Sequence, residues 1–85
     1  MKRVFVPETA AEAMGLRLRE IRINKGFDQT RFGRLFGASQ PVVARLERGT
    51  VVLNIIQLRR LAGGLTIDTS RLCRDLDLAA LKAGF

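Results

Sequence analysis

Apolar residues recur along the chain at the three- and four-residue spacing of amphipathic helices. The first such stripe, Met14, Leu18 and Ile21, predicts a helix over residues 10–25. Similar spacing, with suitable capping residues before it and glycines after it, predicts four more helices. They span residues 29–36, 40–48, 55–63 and 70–82. The pattern therefore predicts an all-α protein of five helices.

The second and third predicted helices are short and adjoin each other. Asp28 and Ser39 stand at their N-cap positions, and Gly37 and Gly49 can supply the left-handed backbone that ends a helix. Because helices this short are unstable alone in water, the pair must pack on other helices. Pro41 fits the first turn of the later helix, where no backbone donor is lost. This arrangement is typical of a helix-turn-helix, which presents its second helix to a partner.

Local signals also mark the ends of the other helices. Residues 9–12 have the pattern of a capping box at the start of the first helix, and Gly26 is its expected stop. Asn54 is the expected N-cap of the fourth helix, and the glycines at 63–64 are its expected end. These signals place the helices end to end with short connections.

Each predicted helix has an apolar face that we expect to be buried in one core. After the first helix, the expected core residues are Phe32, Phe36, Val43, Leu46, Ile55, Leu58, Leu61, Leu65, Leu72, Leu76 and Ala80. Gly33 interrupts the second helix, which predicts that another backbone, that of the third helix, approaches it closely. The fifth helix carries a second apolar stripe, Leu78, Leu81 and Phe85. That stripe is exposed unless a second subunit covers it.

The charge balance indicates a polyanionic partner. The chain has 15 Lys and Arg against 8 Asp and Glu, a formal net charge of +7 over 85 residues. Basic charge alone is common in small proteins, but together with a helix-turn-helix it favours double-stranded DNA. The sequence has neither an apolar run long enough to span a membrane nor a secretory leader, so we expect a cytoplasmic protein.

Few side chains are available for catalysis or metal binding. The chain has no His, Tyr or Trp, and Cys73 is its one cysteine. A lone thiol without an imidazole or a second thiol predicts neither an enzyme nor a metal site, and no cofactor is expected. We expect Cys73 to be a small apolar residue of the core or of an interface.

The chain divides into an N-terminal arm, residues 1–8, and one domain, residues 9–85. The arm contains Lys2, Arg3, a short apolar run and Pro7. Three possibilities stay open for it: disorder, pairing with a symmetry mate, or contact of its basic residues with phosphates. In the domain, the fifth helix is expected to close the core.

From residue 14 to residue 76 the sequence resembles the lambda-repressor-like, Xre/Cro-type DNA-binding domains. The matching positions are Gly15, Leu18, Arg19, Ile21, Arg22, Lys25, Gly26, Gln29, Phe32, Phe36, Gly37, Ser39, Gln40, Val43, Arg45, Leu46, Glu47, Arg48, Gly49, Leu58, Leu61, Ala62 and Leu65. They include the Gln that begins the second helix and the Leu-Glu-Arg-Gly that ends the third, which makes the resemblance more specific than a generic helix-turn-helix. It implies a compact five-helix fold and a prokaryotic or phage regulator.

The resemblance also implies a role for each matching residue. Base reading in the major groove is implied for Gln40, Pro41, Ala44 and Arg45, because Gln can pair with adenine and Arg with guanine. Gln29 matches a phosphate contact, and we extend that assignment to Arg31, Ser39, Arg48 and Thr50. Arg22 and Glu47 match an orienting ion pair between the first and third helices.

Several residues depart from the family pattern. Thr30, Arg31 and Arg34 replace usual acidic residues, which predicts stronger non-specific attraction to DNA. The apolar loop Val51, Val52 and Leu53 replaces a usually polar one, and Leu16, Ile23 and Leu35 lie where relatives keep polar residues. Thr66 stands where a glycine is usual. Together with Leu78, Leu81 and Phe85, the apolar loop predicts a homodimer or partner contact.

The function predicted from all this is a dimeric, sequence-specific transcriptional regulator, a repressor. One alternative is an antitoxin that autoregulates its operon and binds its toxin through apolar surface outside the helix-turn-helix. Another is an interaction module that has kept the fold and lost DNA binding. Co-purification with a small toxic protein distinguishes the antitoxin from a stand-alone regulator.

Overall fold

The computed structural model describes residues 6–85, which form five α-helices joined by short connections. The helices are α1 (Ala10–Asn24), α2 (Gln29–Arg34), α3 (Gln40–Arg48), α4 (Ile55–Gly64) and α5 (Thr69–Lys82). The predicted all-α fold is confirmed, and each predicted helix boundary lies within two residues of the observed one. The possible phosphate contacts of Lys2 and Arg3 lie outside the described residues.

Most predicted N-caps form the expected hydrogen bonds. The Thr9 hydroxyl accepts a hydrogen bond from the Glu12 N–H at 3.1 Å, and the Asp28 carboxylate accepts one from the Arg31 N–H at 2.8 Å. Asn54 forms a complete capping box with the side chain of a glutamine three residues later. Ser39 has the backbone geometry of an N-cap, but its hydroxyl makes no capping bond.

The predicted end of α4, at Gly63 and Gly64, is correct to within one residue, but neither glycine makes the left-handed reversal. Gly63 and Gly64 both lie inside the helix, and the left-handed residue is Thr66, with φ 59°. The reversal occurs there because the N–H of Ile67 returns to the Ala62 carbonyl at 2.9 Å, the bond that closes a Schellman motif. The other predicted stops are glycines with positive φ, as expected: Gly26, Gly37 and Gly49.

The core lies between all five helices. Its buried members are Leu18, Ile21, Phe32, Phe36, Val43, Leu46, Leu61, Ala62, Leu72 and Leu76, with Met14, Leu58 and Leu65 packed partly buried against them. Ile55 was predicted to point inward, and this is wrong: it is 65% exposed. It lies in the first turn of α4, whose inward positions are filled by Leu58, Leu61 and Ala62. Cys73 was expected in the core or in an interface; it is exposed, so the core alternative is wrong and the interface alternative stays a prediction.

Helix α1 packs on α3 with one side and on α5 with another. A Cβ on Gly15 would meet the carbonyl oxygens of Leu46 and Glu47, so the α1 and α3 backbones are in direct contact there. Gly33 in α2 is crowded in the same way by the Ala38 carbonyl and the Val43 side chain. The close approach predicted at Gly33 is therefore made by the turn as well as by α3.

An ion pair joins α1 to α5 on the other side. Arg17 Nε donates to Asp75 Oδ1 at 2.6 Å, and Arg17 Nη2 donates to Asp75 Oδ2 at 3.1 Å. The guanidinium holds the pKa of the Asp75 carboxyl below its usual range. No helix within residues 6–85 is long and apolar enough to cross a membrane.

Candidate nucleic-acid interface

The outward face of α3 gathers the residues that were predicted to read bases. Gln40, Pro41 and Arg45 are exposed and Ala44 is half-buried, while Val43 and Leu46 face the core. The four outward residues line one shallow concavity with Arg48. The face is polar, basic and free of bulky apolar side chains.

A buried ion pair fixes the position of α3 relative to α1. Arg22 Nε and Nη2 donate to the two oxygens of the Glu47 carboxylate at 2.7 and 3.0 Å. Arg22 Nη1 also donates to the carbonyl of Phe27 at 3.0 Å. The carboxylate raises the pKa of the Arg22 guanidinium, which therefore stays charged. The two residues implied as an orienting pair are thus brought together.

Two glutamines extend this pair to the surface. Gln29 Nε2 donates to Glu47 Oε1 at 3.2 Å, and Gln40 Nε2 donates to Gln29 Oε1 at 2.7 Å. Each glutamine keeps one amide hydrogen for another acceptor, and Gln40 also keeps its carbonyl oxygen. The hydrogen bonds therefore form one connected series. It begins at Arg22 in α1, continues through Glu47 near the end of α3 and Gln29 at the start of α2, and ends at Gln40 at the start of α3.

The residues assigned to phosphate contacts differ in whether their hydrogen-bond donors are still available to a ligand. Arg31, Ser39 and Arg48 are exposed; Ser39 precedes α3, Arg48 lines its outward concavity, and Arg31 lies in α2. Thr50 donates both its hydroxyl and its N–H to the Arg45 carbonyl, at 3.2 and 3.0 Å. Because both donors cap the end of α3, Thr50 is not among the phosphate contacts proposed below.

Sequence reasoning missed one basic residue on this side of the molecule. Arg19 is exposed on α1 and lines a second concavity together with Gln29, Gln40 and Arg48. Its position follows from helical spacing, since Arg19 lies one turn after Gly15, which touches α3. The spacing of Gly15 and Arg19 is visible in the sequence, but it places Arg19 beside α3 only when the contact between Gly15 and α3 is known.

Comparison with known proteins identifies the class of this interface. No protein-family model and no curated protein sequence matches the chain. Among solved structures, the chain is similar to the restriction-modification controller protein C.AhdI from Aeromonas hydrophila, with a TM-score of 0.64 and 31% sequence identity. The match covers 78% of this chain and 99% of C.AhdI. The chain belongs to the Xre/Cro-like helix-turn-helix family.

Membership of the Xre/Cro-like family makes the chain a DNA-binding transcription regulator, and α2 and α3 are its helix-turn-helix. A non-enzymatic role is consistent with this membership. In residues 6–85 no three His, Cys, Asp or Glu side chains are grouped closely enough to hold a metal ion.

Residues predicted to contact a dimer mate or partner form two surfaces on this Xre/Cro-like fold, which meet at a cavity lined by Val52 and Arg74. Val51, Val52, Ile55 and Ile56 are exposed within six consecutive residues after α3, and we name them the loop patch. Leu53, which was grouped with them, is partly buried against the core and contributes less surface. The second surface, which we name the α5 face, comprises Arg71, Arg74, Leu78, Leu81 and Lys82 of α5 and Phe85 beyond its end; Ser70, Cys73 and Asp77 of α5 are exposed as well.

Proposed function

We propose that the protein is a dimeric, sequence-specific repressor that reads the major groove of DNA with α3. The observation that carries this proposal is the hydrogen-bonded series from the Arg22–Glu47 pair through Gln29 to Gln40. It holds a base-reading side chain at the start of an exposed helix before DNA arrives. A preorganised side chain loses less conformational freedom on binding, which favours specific recognition.

The outward residues of α3 have suitable chemistry for base edges. Gln40 retains one N–H and one carbonyl oxygen, the pair that matches N7 and N6 of adenine. Arg45 is exposed and long enough to donate two hydrogen bonds to O6 and N7 of guanine. Ala44 and Pro41 are small, so the helix can approach the base edges closely, and each presents apolar atoms to a thymine methyl.

Positively charged and polar residues surround this reading face. Gln29 keeps one amide hydrogen for a phosphate oxygen, and Arg31, Ser39 and Arg48 are exposed nearby. Arg19 adds a further guanidinium on the α1 side. Contacts of this kind set the register on the duplex and make affinity strongly salt-dependent.

The loop patch is the proposed dimer interface. Its four side chains are apolar, carry no charge and can face their own copies across a two-fold axis without repulsion. It follows α3 directly, so a dimer formed there couples the two reading helices. Dimers of this kind bind half-sites one helical turn apart, about 10 base pairs. Occupying a promoter in this way excludes other proteins, which supports repression as the outcome.

Selection of bound sequences from a random DNA pool tests this proposal. We expect a two-fold symmetric consensus with two half-sites centred about 10 base pairs apart. Purine contacts for Gln40 and Arg45 predict an adenine and a guanine at adjacent positions of each half-site. Selected pools that show no enrichment, or an unpaired single half-site, contradict sequence-specific or dimeric binding respectively.

A second candidate is an antitoxin that also regulates its own operon. The observation that favours it is the exposure of Leu78, Leu81 and Phe85 on α5, outside the helix-turn-helix. Co-expression with the neighbouring open reading frames, followed by purification, tests this candidate. A stable complex with a small toxic protein supports the antitoxin, whereas a homodimer that binds the selected DNA by itself supports the stand-alone repressor.

A further inference from the structure

The α5 face combines large apolar side chains with positive charge. Leu78, Leu81 and Phe85 are 51%, 58% and 48% exposed, which is unusual for three apolar side chains this close on one helix. Arg71, Arg74 and Lys82 lie among them at helical spacing. Arg71, Arg74, Leu78, Leu81 and Lys82 fall within about one third of the helix circumference, at about 100° of rotation per residue, and Phe85 follows the helix end after Gly84.

The positive charge of this face is not neutralised within the described part of the chain. The salt bridges among residues 6–85 join Arg17 to Glu20 and Asp75, and Arg22 to Glu47. Asp75 borders the face, but its two oxygens are occupied by Arg17. The cations of the α5 face therefore remain available to a negatively charged ligand.

A groove between α1 and α5 adjoins the face. Its apolar surface includes Ala13, Leu16, Leu78 and Ala79, and Arg71, Arg74 and Lys82 lie along the same lining. Glu20 and Asp75 also line it, but both are paired with Arg17, so the remaining charge of the groove is positive. A groove between two packed helices accommodates a third helix, whose apolar side chains enter the groove while its flanks meet the rim. Because the rim of this groove carries positive charge, the flanks of such a third helix need acidic residues.

A second copy of this chain is a poor occupant for this surface. A symmetric, antiparallel contact of α5 with α5 centred on Leu78 would bring Arg74 of one copy next to Lys82 of the other, because both lie four residues from Leu78. Like charges placed together at an interface oppose association. The uncharged loop patch has no such conflict, so the two exposed apolar surfaces call for different partners.

We propose that the α5 face and its groove bind a partner protein through an acidic amphipathic helix, with Leu or Phe on one side and Asp or Glu beside it. The surface is separate from the proposed DNA interface, because Gly15 touches α3 whereas Arg17, two residues later, reaches α5. The reading residues Gln40, Ala44 and Arg45 line concavities other than the groove of Arg71, Arg74 and Lys82, although Leu16 borders both sides. The partner can therefore bind while DNA is bound, and the inference does not depend on the DNA proposal.

Selection from a displayed random-peptide library tests this inference, with the full-length protein as bait. We expect the enriched peptides to be acidic and to repeat Leu or Phe at three- and four-residue spacing. The double variant Arg71→Glu with Arg74→Glu should bind the selected peptides at least about tenfold more weakly, because the rim then repels their acidic residues. The matched control is Arg59→Glu with Arg60→Glu, which makes the same change in net charge on α4 and should bind the peptides as the wild type does.

Three results would overturn the inference. The first is enrichment of basic or uncharged peptides, and the second is equal loss of binding in both double variants, which would indicate only the general field of a basic protein. The third is competition for the peptides by random-sequence duplex DNA, which would assign the α5 face to nucleic acid. Circular dichroism of each variant checks that the helices are intact, and Leu81→Ser provides an uncharged variant that should weaken peptide binding as well.

Discussion

Among single residues, Gln40 and Arg45 are held in different ways on the outward face of α3. The Gln40 side chain is fixed by its hydrogen bond to Gln29, whereas no side-chain hydrogen bond restrains Arg45 within the described residues. Gln40 is therefore preorganised, and Arg45 becomes ordered only when it meets a base. The two residues should consequently respond differently to substitution.

Arg45→Ala is expected to weaken binding to the selected DNA site by about 1 to 3 kcal/mol and to relax the preference at one base position. The reason is the loss of a bidentate contact with guanine, which carries sequence information. Fluorescence anisotropy with the selected site and with a site changed at that position measures both effects. Equal loss on selected and random DNA would assign Arg45 to phosphate instead.

Arg19→Ala is expected to weaken binding to selected and random DNA alike. It should also reduce the magnitude of the slope of log K, the binding constant, against log salt concentration by about 1. A phosphate contact releases roughly one counterion, and its loss removes that dependence without changing base preference. Arg71→Ala is the matched control, since it removes an exposed arginine of the α5 face. A slope that falls equally in both variants would show that Arg19 contributes only to the net charge.

Among the helices, the contact of α1 with α3 depends on the absence of a side chain at Gly15. Ala in place of Gly inside a helix usually stabilises it by about 1 kcal/mol. Gly15→Ala should instead destabilise the protein, because the added Cβ collides with backbone carbonyls of α3. Gly63→Ala is the control: it lies inside α4 with open space around it and should be stabilising. Urea unfolding compares the two, and stabilisation by both substitutions would show that α1 and α3 separate easily.

The ion pair between α1 and α5 makes stability depend on pH. The folded pKa of Asp75 is lowered, so the pair stabilises the fold above the ordinary carboxyl pKa of about 3.9 and loses this effect as pH falls through the folded pKa. Asp75→Asn should therefore reduce the free energy of unfolding by up to about 1 kcal/mol at pH 7, because both side chains are partly exposed.

The difference between wild type and Asp75→Asn should shrink on acidification below pH 4. Asp77→Asn is the control in the same helix, since Asp77 takes part in none of the salt bridges of residues 6–85. Chemical unfolding at a series of pH values provides the measurement. A difference that stays constant down to pH 2 would mean that Asp75 acts through packing rather than charge.

For the whole molecule, the two exposed apolar surfaces are expected to have different effects on assembly. Val52→Asp puts a charge into the loop patch and, across a two-fold axis, two like charges together, so we expect monomers with unchanged helicity. Leu81→Asp changes the α5 face and should leave the dimer intact. Sedimentation equilibrium distinguishes the two, and monomers formed by Leu81→Asp instead would move the dimer interface to α5.

Much of this architecture was predictable because short-range rules govern it. The caps at Thr9, Asp28 and Asn54 depend on residues only three positions away, and the buried stripes follow from helical period. The sequence predicted the end of α4 but not the residue that reverses the chain after it, because the hydrogen bond from the Ile67 N–H to the Ala62 carbonyl places the left-handed conformation at Thr66 and not at a glycine. Thr66 accepts a left-handed conformation that a β-branched residue rarely adopts.

A similar part of the candidate site could be predicted from the sequence. Residue types and spacing placed Gln40, Ala44 and Arg45 on one face, since that depends on α3 alone. Residues whose role depends on packing between distant helices were harder: Arg19 was missed, and Thr50 was assigned a phosphate although it caps α3. Contacts between elements are the information that periodicity does not contain.

The hydrogen bond between Gln40 and Gln29 also bears on how the preferred operator can evolve. A substitution at Gln40 alters a base contact. At the same time it removes the hydrogen bond from Gln40 Nε2 to Gln29 Oε1, which orients the Gln29 side chain. Arg45 and Pro41 have no such shared bond, so each can change without disturbing the phosphate anchor. New operator preferences should therefore arise first through positions 41 and 45, while position 40 changes only together with position 29.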